Sequence, residues 1–142
     1  MPKSFHLKVL TPNAIVLDDD VEQIIARSVD GEVGVLPDHI PLITPLAQAP
    51  FQYWKNNERK VAAVLGGMLE VSKEGVTVIS DHAALAEDID IVMAEKEKEL
   101  TEAKLTQKKD KIDVQKAELE LTRLLVMLEA AELAKRLKNT RV

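Results

Sequence analysis

The chain has no cysteine, and only four of its 142 residues are aromatic: one Trp, one Tyr and two Phe. Without thiols it forms no disulfide and offers no thiolate to a metal or a substrate; a reducing compartment is allowed but not required. With aromatics at 3%, an apolar content of 46% must build its core from Val, Ile, Leu and Ala. A basic surplus is missing as well. The net charge of −5 argues against nucleic acid, whose phosphate backbone needs a basic face. No apolar run approaches about 18 residues, and MPKSFHLKVL lacks the apolar centre of a signal peptide. The expectation is a soluble chain that meets a membrane only through a partner. Its length suits one domain, or a domain with an appendage.

What is present divides in character near residue 87, giving an expected β domain over 1–86 and a helical segment over 87–142. Phe5–Leu10 alternates as a strand and closes at Thr11-Pro12-Asn13. Ala14–Leu17 reads as a second strand ended by Asp18-Asp19-Asp20, and Val21–Val29 as a third ended by Asp30-Gly31. Phe51–Lys55 and Lys60–Leu65 flank a turn at Asn56-Asn57-Glu58. Met68–Val71 and Val76–Ser80 flank Lys73-Glu74-Gly75. Short strands recurring about every 8–12 residues, with no helix between them, predict an antiparallel β-sandwich or barrel.

The densest cluster of backbone constraints is GEVGVLPDHIPLITPL, residues 31–46. Gly31 and Gly34 suit a turn and a bulge or close approach. Pro37 fixes a turn, while Pro41 and Pro45 cannot donate to a ladder, which predicts sheet edges and corners rather than a central strand. The tip Pro37-Asp38-His39 between two apolar arms suits docking better than catalysis, for it holds no nucleophile.

From Glu87 to Val142 there is neither Gly nor Pro, and 25 of 56 residues are charged. Asp88 is the expected N-cap of a first helix carrying Ile89, Met93, Leu100 and Ala103 on roughly one face. Lys108-Lys109-Asp110-Lys111 allows only a tight connection. Val114, Ala117, Leu121, Leu124, Leu128 and Ala131 then follow the 3-4 spacing of a coiled-coil seam, widened by Leu119, Leu125 and Leu133. Lys135, Arg136 and Lys138 suit the C-terminal end of the helix dipole. So short a link predicts an antiparallel two-helix hairpin. Its apolar contacts are few, so it either docks on the sandwich or opens to lay its Leu-rich seam on another protein.

No catalytic constellation emerges. His6, His39 and His82 lack metal-site spacing. Asp18-Asp19-Asp20 reads as a solvated turn rather than a cation site. Gly66-Gly67 lacks the Lys and helix start of a phosphate loop, so a bulge or close-packing position is the better reading. Ser4, Ser28, Ser72 and Ser80 have no nucleophile context, and Tyr53 and Trp54 are expected to pack or to face a partner. The expectation is no catalytic site, no metal and no cofactor.

The stretch GEVGVLPDHIPLITPL resembles the signature of the epsilon subunit of F-type ATP synthases, GE-apolar-G-apolar-x-P-G/D-H-x-P-L. The resemblance extends to HLKVLTPNAIVLDDDVEQI, to GGMLEVSKEGVTVISD and to the charged helical pair beginning AEDIDI. It implies a rotor subunit whose sandwich binds the gamma subunit and the c-ring, coupling ion flow to rotation. It implies a hairpin that extends toward the alpha and beta subunits and inhibits ATP hydrolysis. The implied location is the cytoplasmic face of a bacterial inner membrane, reached through the c-ring. The family's c-ring contacts match Glu32 and His39. Basic residues facing the beta subunit match Arg123, with Lys135 and Arg136 as further candidates.

Some relatives bind ATP on the folded hairpin through I/L-D-x-x-R-A. Here Ile89, Asp90 and Ala94 match, but the arginine is Met93, a preceding acidic position is Ala84, and a following arginine is Leu100. Of two arginines on the second helix, Arg123 remains and the other is Met127. Losing three cations predicts weak or absent nucleotide binding. Without the resemblance, a stand-alone β-sandwich adaptor or ligand-binding module that oligomerises through its C-terminal helices accounts for the same residues.

Overall fold

The structure is a computed structural model that describes residues 3–107 and 110–139. Eight strands precede two helices: β1 Phe5–Leu10, β2 Ile15–Val21, β3 Gln23–Ser28, β4 Gly31–Val35, β5 Leu42–Lys55, β6 Glu58–Ser72, β7 Gly75–Ile79 and β8 Ala83–Leu85. A single 3-10 turn, Ala86–Asp88, leads to α1, Ile91–Gln107, and α2, Lys111–Asn139. Lys108 and Lys109 of the expected connection lie outside the described residues.

The strands pair in the order β2-β1-β7-β6-β5-β3-β4, with β8 on β6, and all neighbours are antiparallel except β1 and β7. Two long strands make one sheet into two layers. β5 and β6 pair in one register from Leu42↔Val71 to Lys55↔Glu58, with the Ala47–Gly66 pair alone missing at the middle. The early half of β5 and the late half of β6 join β7, β1 and β2; the other halves join β3, β4 and β8. Between the layers lie Leu7, Ile24, Phe51, Leu69, Val64 and Val78, all almost fully enclosed.

Gly66 and Gly67 explain why the strand bends instead of ending. Their φ values are +83° and +107°, and a Cβ on Gly67 would lie 2.0 Å from the Ile79 carbonyl oxygen. The close-packing reading of this pair holds. The reading of Lys60–Leu65 and Met68–Val71 as separate strands does not, because a glycine pair that permits a bend resembles a strand boundary in sequence. The turn between β5 and β6 is tighter than expected: Asn56 and Asn57 are both left-handed, at +53° and +62°. The Glu22 carboxylate accepts from both their backbone N–H groups, at 2.9 and 2.8 Å.

The acidic triplet is also corrected. Asp18, Asp19 and Asp20 do not end a strand; they lie within β2, opposite Lys8, Leu7 and His6. Cations there make the strand tolerable. Asp18 and Asp20 both accept from the His6 ring, the second at 2.9 Å, and Asp19 accepts from Lys55. β2 therefore runs to Val21, and the expected third strand starts after it, at Gln23.

Pro45 departs from the edge-or-corner expectation too, since β5 lies between β6 and β3. Its carbonyl accepts from Val29 N–H at 3.2 Å, so its missing donor faces the β3 side, where the pairing is already irregular between Ile25 and Ser28. β4 does occupy an edge.

In the helices, Asp90 rather than Asp88 is the cap: its Oδ1 accepts from Met93 N–H at 3.1 Å. The residue two places earlier belongs to the 3-10 turn. The buried face of α1 is Ala94 and Thr101; Met93, Leu100 and Ala103 point to solvent. On α2, Ala117, Leu124 and Ala131 are buried and Val114, Leu121 and Leu128 half-buried, as the seam predicts. Leu119 and Leu125 are exposed instead of widening it. A second face of α2, Val126, Met127, Ala130, Leu133, Ala134 and Leu137, packs on Val61 and Ala63 of β6, and on Ala86 and Ile89. The hairpin is docked on the sandwich.

Candidate functional site

Three surfaces gather the residues that matter: the loop after β4, the outer face of the sheet at one end, and the seat of the helices. In the loop, Pro37 and a left-handed Asp38 (φ +65°) form a tight turn closed by His39 N–H to the Leu36 carbonyl at 3.2 Å. Lys3 donates to the Asp38 carboxylate at 3.1 Å, a fully solvated pair that adds little. His39 Nδ1 lies 2.6 Å from the Ile40 carbonyl oxygen; a carbonyl only accepts, so Nδ1 carries a proton and donates it there. Leu36 and Ile40 stand exposed on either side.

Glu32 is a solvated residue near the start of β4, opposite Arg27 on β3. Glu32 lies within β4 and His39 in the turn beyond its far end, so no single strand presents them together.

The outer face of the sheet carries a feature that sequence reasoning missed. Val29 lies beside Pro45, Pro45 opposite Met68, Met68 opposite Ile79, Ile79 opposite Leu10 and Leu10 opposite Ile15. Directly paired residues point to the same side, so these six form one apolar row across the sheet. Val29 is 60% exposed, Met68 42%, Ile79 55% and Ile15 62%. Ile43, also exposed, extends the row along β5. Each strand alone shows one outward apolar residue, which is unremarkable; only the register makes them contiguous, and a contiguous row marks an interaction surface.

At the helical seat, the residues matching a nucleotide motif have structural work. Ile89 and Ala94 are buried and Asp90 caps α1. Arg123 is half-buried and lines a cleft of about 380 Å³ with Ala84, Met127, Asp81, Glu97 and Glu120. Three carboxylates against one guanidinium make this a poor seat for a triphosphate. Lys135 and Arg136 are exposed on the last turns of α2. The second face of α2 was missed from sequence: its i, i+4, i+8 run Val126, Ala130, Ala134 is the only signal, and small side chains obscure it.

Residues 4–86 match the family described as ATP synthase, Delta/Epsilon chain, beta-sandwich domain. Over 132 residues the chain is 46% identical to the ATP synthase epsilon chain of Caldanaerobacter subterraneus subsp. tengcongensis, covering 92% of this chain and 96% of the relative. The chain belongs to the ATP synthase epsilon-chain family. The epsilon chain of Nitratidesulfovibrio vulgaris is 41% identical over 128 residues, covering 90% and 96%. A chain in a cryo-EM structure of the Euglena gracilis mitochondrial ATP synthase, comprising OSCP, F1 and c-ring, superposes with a TM-score of 0.74 at 26% identity, covering 93% of this chain and 83% of that one. As an epsilon chain, this protein is a central-stalk subunit of an ATP synthase rather than one of its catalytic subunits.

Proposed function

We propose that this epsilon chain works as a rotor element in which residues 1–86 grip the gamma subunit and the c-ring, while the helices beyond residue 86 act as a regulatory arm. The observation that carries the grip is the apolar row Val29–Pro45–Met68–Ile79–Leu10–Ile15. Left in water, such a row is a liability; covered by a partner, it is a source of affinity. The rigid turn at Pro37-Asp38 and the solvated Glu32 and His39 supply polar contacts to the c-ring, in keeping with a similar chain found in an assembly with F1 and a c-ring. Coupling follows from stiffness: a sandwich closed by two continuous strands transmits torque without shear. Peripheral membrane association follows from the c-ring; among the described residues no helix is long and apolar enough to cross a membrane.

The arm rests on a modest interface. Its centre is Ala130, Ala131, Val126 and Ile89 against Val61 and Ala63, mostly small side chains. The arm is therefore able to leave, extend beside gamma and present Arg123, Lys135 and Arg136 to the beta subunit, inhibiting ATP hydrolysis. Titration with MgATP gives no micromolar complex, since the Arg123 cleft is acidic. An adaptor oligomerising through its helices has less support, because the docked arrangement already covers both apolar faces of α2.

Co-purification with gamma and the c-ring tests the grip. Met68→Glu places a charge in the middle of the row and lowers affinity for gamma about tenfold or more, with little effect on the free chain's stability because Met68 is exposed. Removing residues 88–142 leaves assembly intact and raises, or leaves unchanged, ATP hydrolysis by the complex. Unchanged gamma binding by Met68→Glu would refute the grip; lowered hydrolysis after truncation would refute the arm.

A further inference from the structure

A cleft of about 510 Å³ lies between the end of the sandwich and the last turns of α2, separate from the acidic cleft around Arg123. Its floor is apolar: Val61 from β6, Ile91 from α1, Ala131, Ala134 and Leu137 from α2. Tyr53 lines it as well. That side chain is 3% exposed, and its hydroxyl has no hydrogen-bond partner among the described residues. Burial, with Glu87, Asp19 and Asp88 nearby, pushes its pKa up to about 12, so it remains a neutral O–H donor near neutral pH.

Four cations stand around this floor, against the carboxylates of Glu58 and Glu87. Arg59 is committed elsewhere, stacked 5.4 Å over the Trp54 ring and donating to Gln52 Oε1 at 2.5 Å. Lys60, Lys135 and Lys138 make no ion pair among the described residues. A polar donor without an acceptor, the ammonium groups of Lys135 and Lys138, that of Lys60 shared with the field of Asp19, and an apolar floor of this volume share one complement.

We infer that the cleft binds a small amphipathic anion, with its apolar body on Ile91 and Ala134 and its phosphate or carboxylate head among Tyr53, Lys60, Lys135 and Lys138. Glu87 opposes the head, as do Asp88 and Asp19 at longer range, and together they keep affinity moderate. Tyr53 and Lys60 belong to the sandwich and Lys135 and Lys138 to α2, so the site exists only while the arm is docked. Occupancy therefore favours the docked state by linkage. Binding stands apart from the rotor reading; only its effect on ATP hydrolysis rests on it.

Hexyl phosphate and inorganic phosphate are titrated into the full chain, followed by NMR shifts of Tyr53 and α2 amides, with hexyltrimethylammonium as the control of opposite charge. Hexyl phosphate binds about tenfold or more tightly than phosphate, because its tail covers the floor. The ammonium compound does not bind. Tyr53→Phe weakens hexyl phosphate about fivefold, Lys60→Ala with Lys135→Ala about tenfold, and Glu87→Gln tightens it about twofold. Bound hexyl phosphate slows hydrogen exchange in α2. Equal affinity for the two phosphates, binding of the ammonium compound, or indifference to the Tyr53 and Lys60/Lys135 changes overturns the site. If all of these hold while hexyl phosphate leaves hydrolysis by the assembled complex unmoved, the site stands and the arm's regulatory role falls.

Discussion

Phe51, Leu7, Ile24 and Leu69 are each almost fully enclosed by strands distant in sequence, whereas beneath α2 the most deeply buried residue is Ala130. The sandwich encloses fifteen buried residues between two layers, among them a Phe, a Tyr and four large aliphatics. The helical seat encloses seven, four of them alanine. At about 25 cal/mol per Å² of apolar surface, an alanine contributes a fraction of what a leucine or phenylalanine does. One region is held by bulk and by strands bound on both sides, the other by close approach of small side chains. The first kind of packing suits the stiff module of the proposed function, the second its releasable arm.

Four changes break or sharpen that contrast, beginning with the largest. Gly67→Ala has no room: its Cβ would meet the Ile79 carbonyl at 2.0 Å, on a backbone at φ +107°. It destabilises the sandwich by roughly 3 kcal/mol or more, read by denaturant unfolding followed at Trp54. Ala130→Gln overpacks the helical seat, whose centre is fully enclosed. It shifts docking by about 1–3 kcal/mol, seen as faster hydrogen exchange in α2, with the sandwich transition unmoved. Asp90→Ala removes the cap on Met93 N–H and costs about 1 kcal/mol, confined to exchange in the first turns of α1.

The smallest effect is one of pH. Hydrogen bonds to Asp20 and then Asp18 hold the His6 pKa above its ordinary 6.5. A raised pKa stabilises the fold fully below 6.5, and that contribution fades as pH rises through the folded value. The hydrogen bond from Lys55 holds Asp19 below its ordinary 3.8, so its share is present above that value and fades as pH falls through the lowered one. β2 is pinned best between these limits. His6→Gln flattens the alkaline side of the profile, and Asp19→Asn the acid side.

How far the chain could be read follows the same divide. Phe5–Leu10 was legible to the residue because apolar alternation and Thr11-Pro12 mark it twice. The bent strands β5 and β6 were not, since a proline or a glycine pair inside a strand carries the same local signal as its end. The acidic triplet looked like a turn because its cations, His6 and Lys55, lie 12 to 36 residues away. On α2 the heptad seam was visible and the alanine face was not, because alanine marks no side of a helix by hydropathy. Glu32 and His39 are named through the family resemblance alone, and the apolar row exists only through register, which no single strand encodes.

Native-state hydrogen exchange on the full chain, at increasing denaturant, tests the difference in holding energy most directly. Amides of α1 and α2 should open together at a free energy several kcal/mol below that of β5 and β6, while the sandwich stays protected. If the amides of α2 and β6 instead open at one common free energy, in a single global unfolding, the arm is as firmly held as the module that carries it, and the account of a stiff grip with a releasable arm is wrong.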